Sequence, residues 1–151
     1  MKEILIVPNP ILREVSETVS VFDSRLAELE TELFAVLDHL NVTSHTALGL
    51  AAPQIGESAQ IFVIDSGALR FSIVNPVILR AKKSRLVREG CLSMPDKVFV
   101  VKRPKIIKIR GVHINGESFT IKARDLDAQI ICHEVDHLHG ILIDERSRLD
   151  E

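Results

Sequence analysis

The sequence predicts an α+β fold: mostly antiparallel β-sheets around a central, buried C-terminal helix carrying HExxH, preceded by N-terminal helices. Three observations lead there. Helical spacing of apolar residues marks the N-terminal part, short β-rich runs fill the middle, and one helical pattern comes late. Regular β–α alternation, the mark of a doubly wound sheet, is absent. An Asn-Gly pair between two alternating runs is a strong local hairpin signal.

The elements follow in order. In VPNPILREVSETV (7–19), Asn9 can cap and Pro10 can take the first helical position, which predicts a short helix. A longer helix is expected from about Ser24 to Leu40. There Leu26, Leu29, Leu33, Leu37 and Leu40 recur every three or four residues behind Asp23 or Ser24 as cap. Residues 41–49 read as a loop rich in Thr, Ser and Gly. Four β-rich runs come next: IFVID (61–65), FSIVNPVIL (71–79), VFVV (98–101) and KIIKIRGV (105–112). Asn115-Gly116 then turns the chain within INGESFTI (114–121), and Asp125 can cap a final helix that reaches Gly140. With no internal repeat, low-complexity segment or linker, residues 1–151 read as one domain.

Composition narrows the function classes. The chain is 46% hydrophobic and 26% charged with a formal net charge of −2, a globular balance with no overall excess of basic charge for a nucleic-acid partner. The KKSR run at 82–85 reads as a solvated loop or strand edge. No apolar run approaches the roughly 18–20 residues of a membrane span, and MKEILIVP is too short for a signal peptide. Neither nucleic acid nor membrane is therefore an expected partner. Two cysteines, Cys91 and Cys132, do not make a disulfide framework, so a reducing cytoplasm is the expected setting.

The late helix carries HEVDHLHG (133–140). On a helix, His133 and His137 project about 40° apart with one turn of rise between them, so two imidazoles can converge on one ion. Glu134, next round from that face, can take a proton from a water at the ion without being a ligand. Leu126 and Ile130 share the metal stripe, while Ile131, Val135, Leu138 and Leu142 cover the opposite side. A helix apolar on both sides belongs in the interior. His139, turned by about 240° from His133, reads as a surface or cap residue, and Cys132 as a small core residue.

The third ligand is not on this helix. One zinc-peptidase pattern would place a histidine where this chain has Ile143. The downstream acids Asp144, Glu145, Asp150 and Glu151 lack a helix long enough to return a carboxylate. Upstream candidates are His39, His45, His113 and Cys91. The cysteine has the best context, in EGCLSMP (89–95), where Gly90 permits close backbone approach; a buried free cysteine in a strand turn is the alternative. Two imidazoles, a thiolate and an open position would make a catalytic-type site, for which zinc is the default ion.

EGCLSMP, HEVDHLHG and the upstream ALGLAAPQ (47–54) together resemble the peptide deformylase family, in its order and at its separations. The resemblance extends weakly from NPILREVS to VKRPKIIKIRG and the Asn-Gly hairpin. It implies Cys91, His133 and His137 as metal ligands and Glu134 as acid/base. It implies further that the Gln54 side-chain amide and the Leu92 backbone N–H steady a developing oxyanion. It also implies iron(II) as the native ion, one per chain, with zinc, nickel or cobalt able to substitute. The implied reaction is hydrolytic removal of the formyl group from N-formylmethionyl nascent peptides.

The resemblance also implies substrate-binding positions at Leu48, Gly49, Glu89 and Gly90, where backbone can pair with an extended peptide; Leu126 and Ile130 read either as walls for the methionine side chain or as plain core residues. Glu89 and Arg103 can form an ion pair that braces the cysteine loop. The ribosome is a further candidate partner, although no long C-terminal docking helix of the kind some members carry precedes Glu151. One departure stands out: Ala47 occupies a family glycine position, and if that site needs a left-handed backbone a Cβ there costs on the order of 1 kcal/mol. A broader metallo-amidase and a silent peptide- or metal-binding relative are the competing readings. Ile143 and EGCLS argue against the first, Glu134 and Gln54 against the second.

Overall fold

The protein is described by a computed structural model covering residues 2–43 and 47–149, the side chains of 148 and 149 excepted. His45, Asp150 and Glu151 lie outside the described residues. The order is a 3-10 turn at Pro10–Arg13, α1 (Ser24–Val42), β1 (Gly49–Ala51), a second 3-10 turn at Ala52–Ile55, β2 (Ile61–Asp65), β3 (Arg70–Cys91), β4 (Met94–Val112), β5 (Ser118–Arg124), α2 (Asp125–Leu138) and α3 (Ile143–Leu149). The five strands form one antiparallel sheet in sequence order, so the expected α+β class holds. No helix among the described residues is long and apolar enough to cross a membrane.

Local chemistry explains the helix starts. Asn9 accepts from the N–H of Ile11, with Pro10 beginning the first 3-10 turn. Asp23 accepts from Arg25 N–H and caps α1, which runs to Val42, two residues past the expected end. Asp125 does not cap α2 as expected. It is the first helical residue, held at φ +55°, and Arg124 takes the cap position without a side-chain hydrogen bond.

β2 sets the layering. Phe62 and Ile64 face the cluster built with Ile131, Val135 and Leu138 of α2, whereas Ile61 and Val63 face Leu33, Val36 and Leu37 of α1. A strand buried on both faces must be apolar throughout, which is why IFVID shows no alternation. A third cluster gathers Leu12, Met94, Val101, Leu142 and Ile143 at the far end of the β3–β4 hairpin. Ile143, the position where a third histidine would have stood, is core.

Two expected boundaries dissolve. FSIVNPVIL and the KKSR run are parts of the single strand β3, and VFVV and KIIKIRGV are parts of β4. Apolar runs alone do not mark where a strand ends. The hairpin continues past the core, where β4 partners satisfy the β3 backbone and the exposed side chains are mixed, Lys82, Lys83 and Lys102 beside Leu86, Val98 and Val100. Pro104 is accommodated because β5 pairs with β4 only from Ile106 onward, which leaves one side of position 104 without a ladder partner. Likewise the end of the expected 41–49 loop is strand, since β1 begins at Gly49.

Gly140 closes α2 at φ +73°, and Ser16 N–H bonds the Leu138 carbonyl beside it at 2.9 Å. A Cβ at Gly140 would stand 2.5 Å from the carbonyl oxygen of Arg13 and 2.8 Å from the carbonyl carbon of Glu14, both backbone. Gly140→Ala is therefore expected to lower the unfolding free energy by at least about 2 kcal/mol, read as a shift of the urea midpoint at constant slope.

Candidate metal centre and active site

α2 carries both histidines into the interior, their rings edge to face with centroids 4.9 Å apart. Cys91 meets them from the end of β3, where the tight turn to Met94 begins. Its Sγ lies 3.4 Å from His137 Nε2, and the two Nε2 atoms are 3.2 Å apart. The ligand atoms of all three residues lie within 4.8 Å of one another. Electron-pair donors crowded around one point repel unless a cation or shared protons lie between them. Two imidazoles and a thiolate are the donor set of a three-ligand catalytic centre, so these residues fit a divalent ion.

The ring of His133 is oriented from behind. Its Nδ1 donates to Glu89 Oε1 at 2.8 Å, which turns Nε2 toward Cys91 and His137. Glu89 is in turn gripped by Arg103, whose Nε and Nη2 donate to the two carboxylate oxygens at 2.8 and 2.9 Å. The expected brace of the cysteine loop is thus present, and it continues: Arg103 Nη1 reaches Asp136 at 2.6 Å, and Arg146 of α3 donates to both oxygens of Asp136. Burial works to raise the Glu89 carboxyl, but the Arg103 and His133 hydrogen bonds outweigh it and hold the group down to about 2. It is an anion at neutral pH. Burial also pushes His137 well below the ordinary imidazole range, in favour of the neutral ring a ligand needs, and pushes the Cys132 thiol up to about 12.

Glu134 sits one residue round from the ligands, buried, with Oε1 lacking any hydrogen-bond partner among the described residues. Burial raises its carboxyl to about 7, a value suited to taking and returning a proton. The strand opposite leaves it room. A Cβ at Gly49 would come within 2.7 Å of Glu134 Oε2 and 3.0 Å of its Cγ. Gln54 is fixed by two neighbours: its Oε1 accepts from Ala51 N–H at 3.0 Å, and its Nε2 donates to Ser93 Oγ at 3.2 Å. The same amide nitrogen also donates to Cys91 Sγ, 3.9 Å away at the cavity.

These groups line one cavity of about 210 Å³. Of the expected residues, Leu48, Gly49, Gln54, Glu89, Gly90, Cys91, Leu92, Leu126, Ile130, His133 and Glu134 all border it, with His137 buried against the first two ligands. Leu126 stands at the rim, 48% exposed, and Ile130 deeper at 7%. β1 is an edge strand; the Leu48 carbonyl accepts from Asp65 N–H on the β2 side, so alternation turns the Gly49 backbone groups to the open edge. Gly90 is not required by packing, because a Cβ there would meet only the Lys97 carbonyl oxygen, at 3.6 Å. Ala47 is not among the residues with left-handed backbone; it is pinned at N–H and C=O by the Asn41 amide and packs in the α1 core, so its Cβ carries no backbone penalty.

The rejected ligands are elsewhere. His113 is exposed and stacks on Phe119, His39 is exposed on α1, and Asp144 pairs with Arg13. His139 is the exposed C-cap of α2 and Cys132 is core, as expected. Sequence reasoning missed Ser93, Asp136, Gln129 and Arg88. Asp136 had a signal: a charged residue beside His137 on a helix otherwise buried on that side needs a buried partner.

Fold and site together fit a class: α+β hydrolases in which a thiol and two imidazoles that could hold a metal ion lie beside a buried carboxyl. A family model described as polypeptide deformylase matches residues 1–151. A peptide deformylase of Alkaliphilus metalliredigens is 39% identical over 140 residues, covering 91% of this chain and 90% of that one. Crystal structures of peptide deformylases superpose closely, one from Legionella pneumophila with a TM-score of 0.90 at 32% identity, over 97% of this chain and 85% of the other. Another, from Thermotoga maritima, gives 0.86 at 32% identity and covers 97% of each chain. The chain belongs to the polypeptide deformylase family, metal-dependent hydrolases that remove the N-formyl group from newly made polypeptides.

Removing Arg103 would strand Glu89 and Asp136 as buried, partly unpaired anions. Arg103→Met is expected to lose about 3–5 kcal/mol of stability in urea unfolding. Asp38→Asn, which weakens the solvent-exposed Arg70 pair, is expected to stay within about 1 kcal/mol.

Proposed function

We propose that Cys91, His133 and His137 hold one divalent ion and that Glu134 is the acid/base in hydrolysis of N-formylmethionyl peptides. The observation that carries this reading is the convergence of a thiol and two imidazoles beside an unpartnered buried carboxyl, at the floor of a cavity that Cys91, His133 and Glu134 line. Iron(II) is the resident ion the family resemblance implies, with zinc, nickel or cobalt as substitutes. The unpaired state of Cys91 and Cys132 agrees with action in a reducing cytoplasm, residues 1–151 serving as a single catalytic domain.

A divalent ion at this centre supplies a Lewis acid that polarises the formyl oxygen and makes water more acidic. The chain's own residues do the rest. Glu134 takes the proton of the attacking water at its unpartnered Oε1 and returns it to the peptide nitrogen as the C–N bond breaks, giving formate and a free amino terminus. The Gln54 amide N–H directed toward Cys91 and the backbone N–H of Leu92 donate to the carbonyl oxygen as its charge grows. Gly49 contributes by having no side chain to displace Glu134. Glu89 keeps the His133 tautomer and ring plane, a positioning role.

The substrate lies extended along the Gly49 edge of β1 and the Gly90 end of β3, an added strand. Its methionine side chain enters the cavity between Leu48, Leu126 and Ile130. The linear, flexible thioether fits an irregular aliphatic pocket without ring stacking.

The test is anaerobic preparation with iron(II) or zinc, followed by formate release from formyl-Met-Ala-Ser beside the acetyl control. Formate from the formyl peptide alone is expected. Equal cleavage of the acetyl peptide would contradict the reading. Glu134→Gln is expected to bind metal normally and lose at least about a thousandfold in kcat. Cys91→Ala is expected to lose stoichiometric metal, measured by elemental analysis after desalting; full retention would remove it as a ligand.

A further inference from the structure

The sheet face turned away from α2 carries a charge pattern that the cavity does not use. In the register of β3, β4 and β5, Arg80, Lys108 and Lys122 stand directly opposite one another. The next row is Lys82, Ile106 and Arg124, and the row on the other side is Val77, Arg110 and Thr120. Six of these nine positions are Lys or Arg and none is acidic. All six basic side chains are exposed, and none forms an ion pair among the described residues. The intervening residues Ile107, Ile109 and Ala123 turn the other way, into the core beneath α2.

Like charges directly across a ladder destabilise a sheet. Here three lie in one row, in a chain whose formal net charge is −2, so acidic residues are plentiful elsewhere but excluded from this patch. That arrangement suits an extended anion that supplies the missing negative charge. Strands are about 4.8 Å apart and alternate residues about 6.6 Å apart along a strand, so the six cations occupy a patch roughly 10 by 13 Å. A patch of that size spans several phosphates of a nucleic-acid backbone.

We infer that this face binds the phosphate backbone of double-helical RNA, independently of sequence. No aromatic residue stands in the three rows, so unpaired bases find no ring to stack on, and recognition falls to backbone charge and duplex shape. The three rows hold six cations against two apolar side chains, Val77 and Ile106, and no Trp or Tyr, so charge outweighs apolar anchoring on this face. The geometry leaves the active site free. Lys82 lies eight residues along β3 from Gly90 at the cavity, at most about 26 Å. Newly made polypeptides leave a particle built largely of structured RNA, so a molecule held by this face keeps its cleft open near its substrate. The whole-chain charge, which argued against a nucleic-acid partner, averages over a local patch.

The test uses the metal-loaded enzyme and a fluorescent 20-base-pair RNA hairpin, titrated by anisotropy between low and physiological salt. Binding that weakens steeply with salt is expected. The triple substitution Arg80→Gln, Lys108→Gln, Lys122→Gln is expected to weaken it at least tenfold and to lower the log–log salt slope by about two to three. These side chains are exposed, so the variant's melting curve and its kcat/KM on a formyl tripeptide should match the parent; this assay also separates failure here from failure of the deformylase reading. No RNA binding at low salt, or an unchanged affinity in the triple variant, would overturn the inference. Equal or tighter binding of poly-glutamate would instead assign the face to an acidic protein. Equal or tighter binding of phosphatidylglycerol vesicles would assign it to a membrane surface.

Discussion

The Arg103 guanidinium is the constraint around which the site is built. It lies buried between two carboxylates, Glu89 on β3 and Asp136 on α2, and its own backbone belongs to β4. Three elements distant in sequence are therefore locked by one cation. Because each carboxylate is desolvated, neither can be left without its partner, and the arrangement is intolerant of sliding between hairpin and helix. Its geometric consequence is local. Glu89, fixed bidentately, accepts from His133 Nδ1, and the ring can then present only Nε2 to the centre. Cys91, two residues further along β3 than Glu89, is placed by the same anchor.

Around that lock, the fold separates rigidity from access. β2 is buried on both faces and joins the α1 and α2 layers, while β1 at the sheet edge keeps its outer side open. The cavity opens between this edge and the end of β3, so one wall is built on strand edges and the other is the helix carrying Glu134. Gly49 shows how close the two walls come: only a hydrogen fits between the strand and Glu134. The deep site is thus held by core packing and a buried charge network, and the substrate path by strand edges.

Much of the site was legible in the sequence because its chemistry is local. His133, Glu134 and His137 share one helix, and helical geometry alone brings two imidazoles together. Context made Cys91 the best upstream candidate and the family resemblance implied it as a ligand, since spacing carries no information about contacts 42 residues apart. The Arg103–Glu89 pair was expected, yet its extension through Asp136 to Arg146 was not, because α3 showed too weak a pattern to be predicted. Strand existence was read well and strand length poorly. The β3–β4 hairpin runs beyond the core, where exposed Leu86, Val98 and Val100 stand among polar residues and the apolar pattern no longer marks a buried face. The basic face was invisible for a related reason: its six cations come from three strands, and only their register makes them neighbours.

The account rests most heavily on a sulfur and two imidazole nitrogens meeting at one point. X-ray absorption at the metal edge of the zinc-loaded protein measures that set directly. It should show one sulfur at about 2.3 Å and two imidazole nitrogens at about 2.0–2.1 Å, with the sulfur lost in Cys91→Ser. A shell of nitrogen and oxygen alone in the unmodified protein, or a sulfur that persists in Cys91→Ser, would contradict the account.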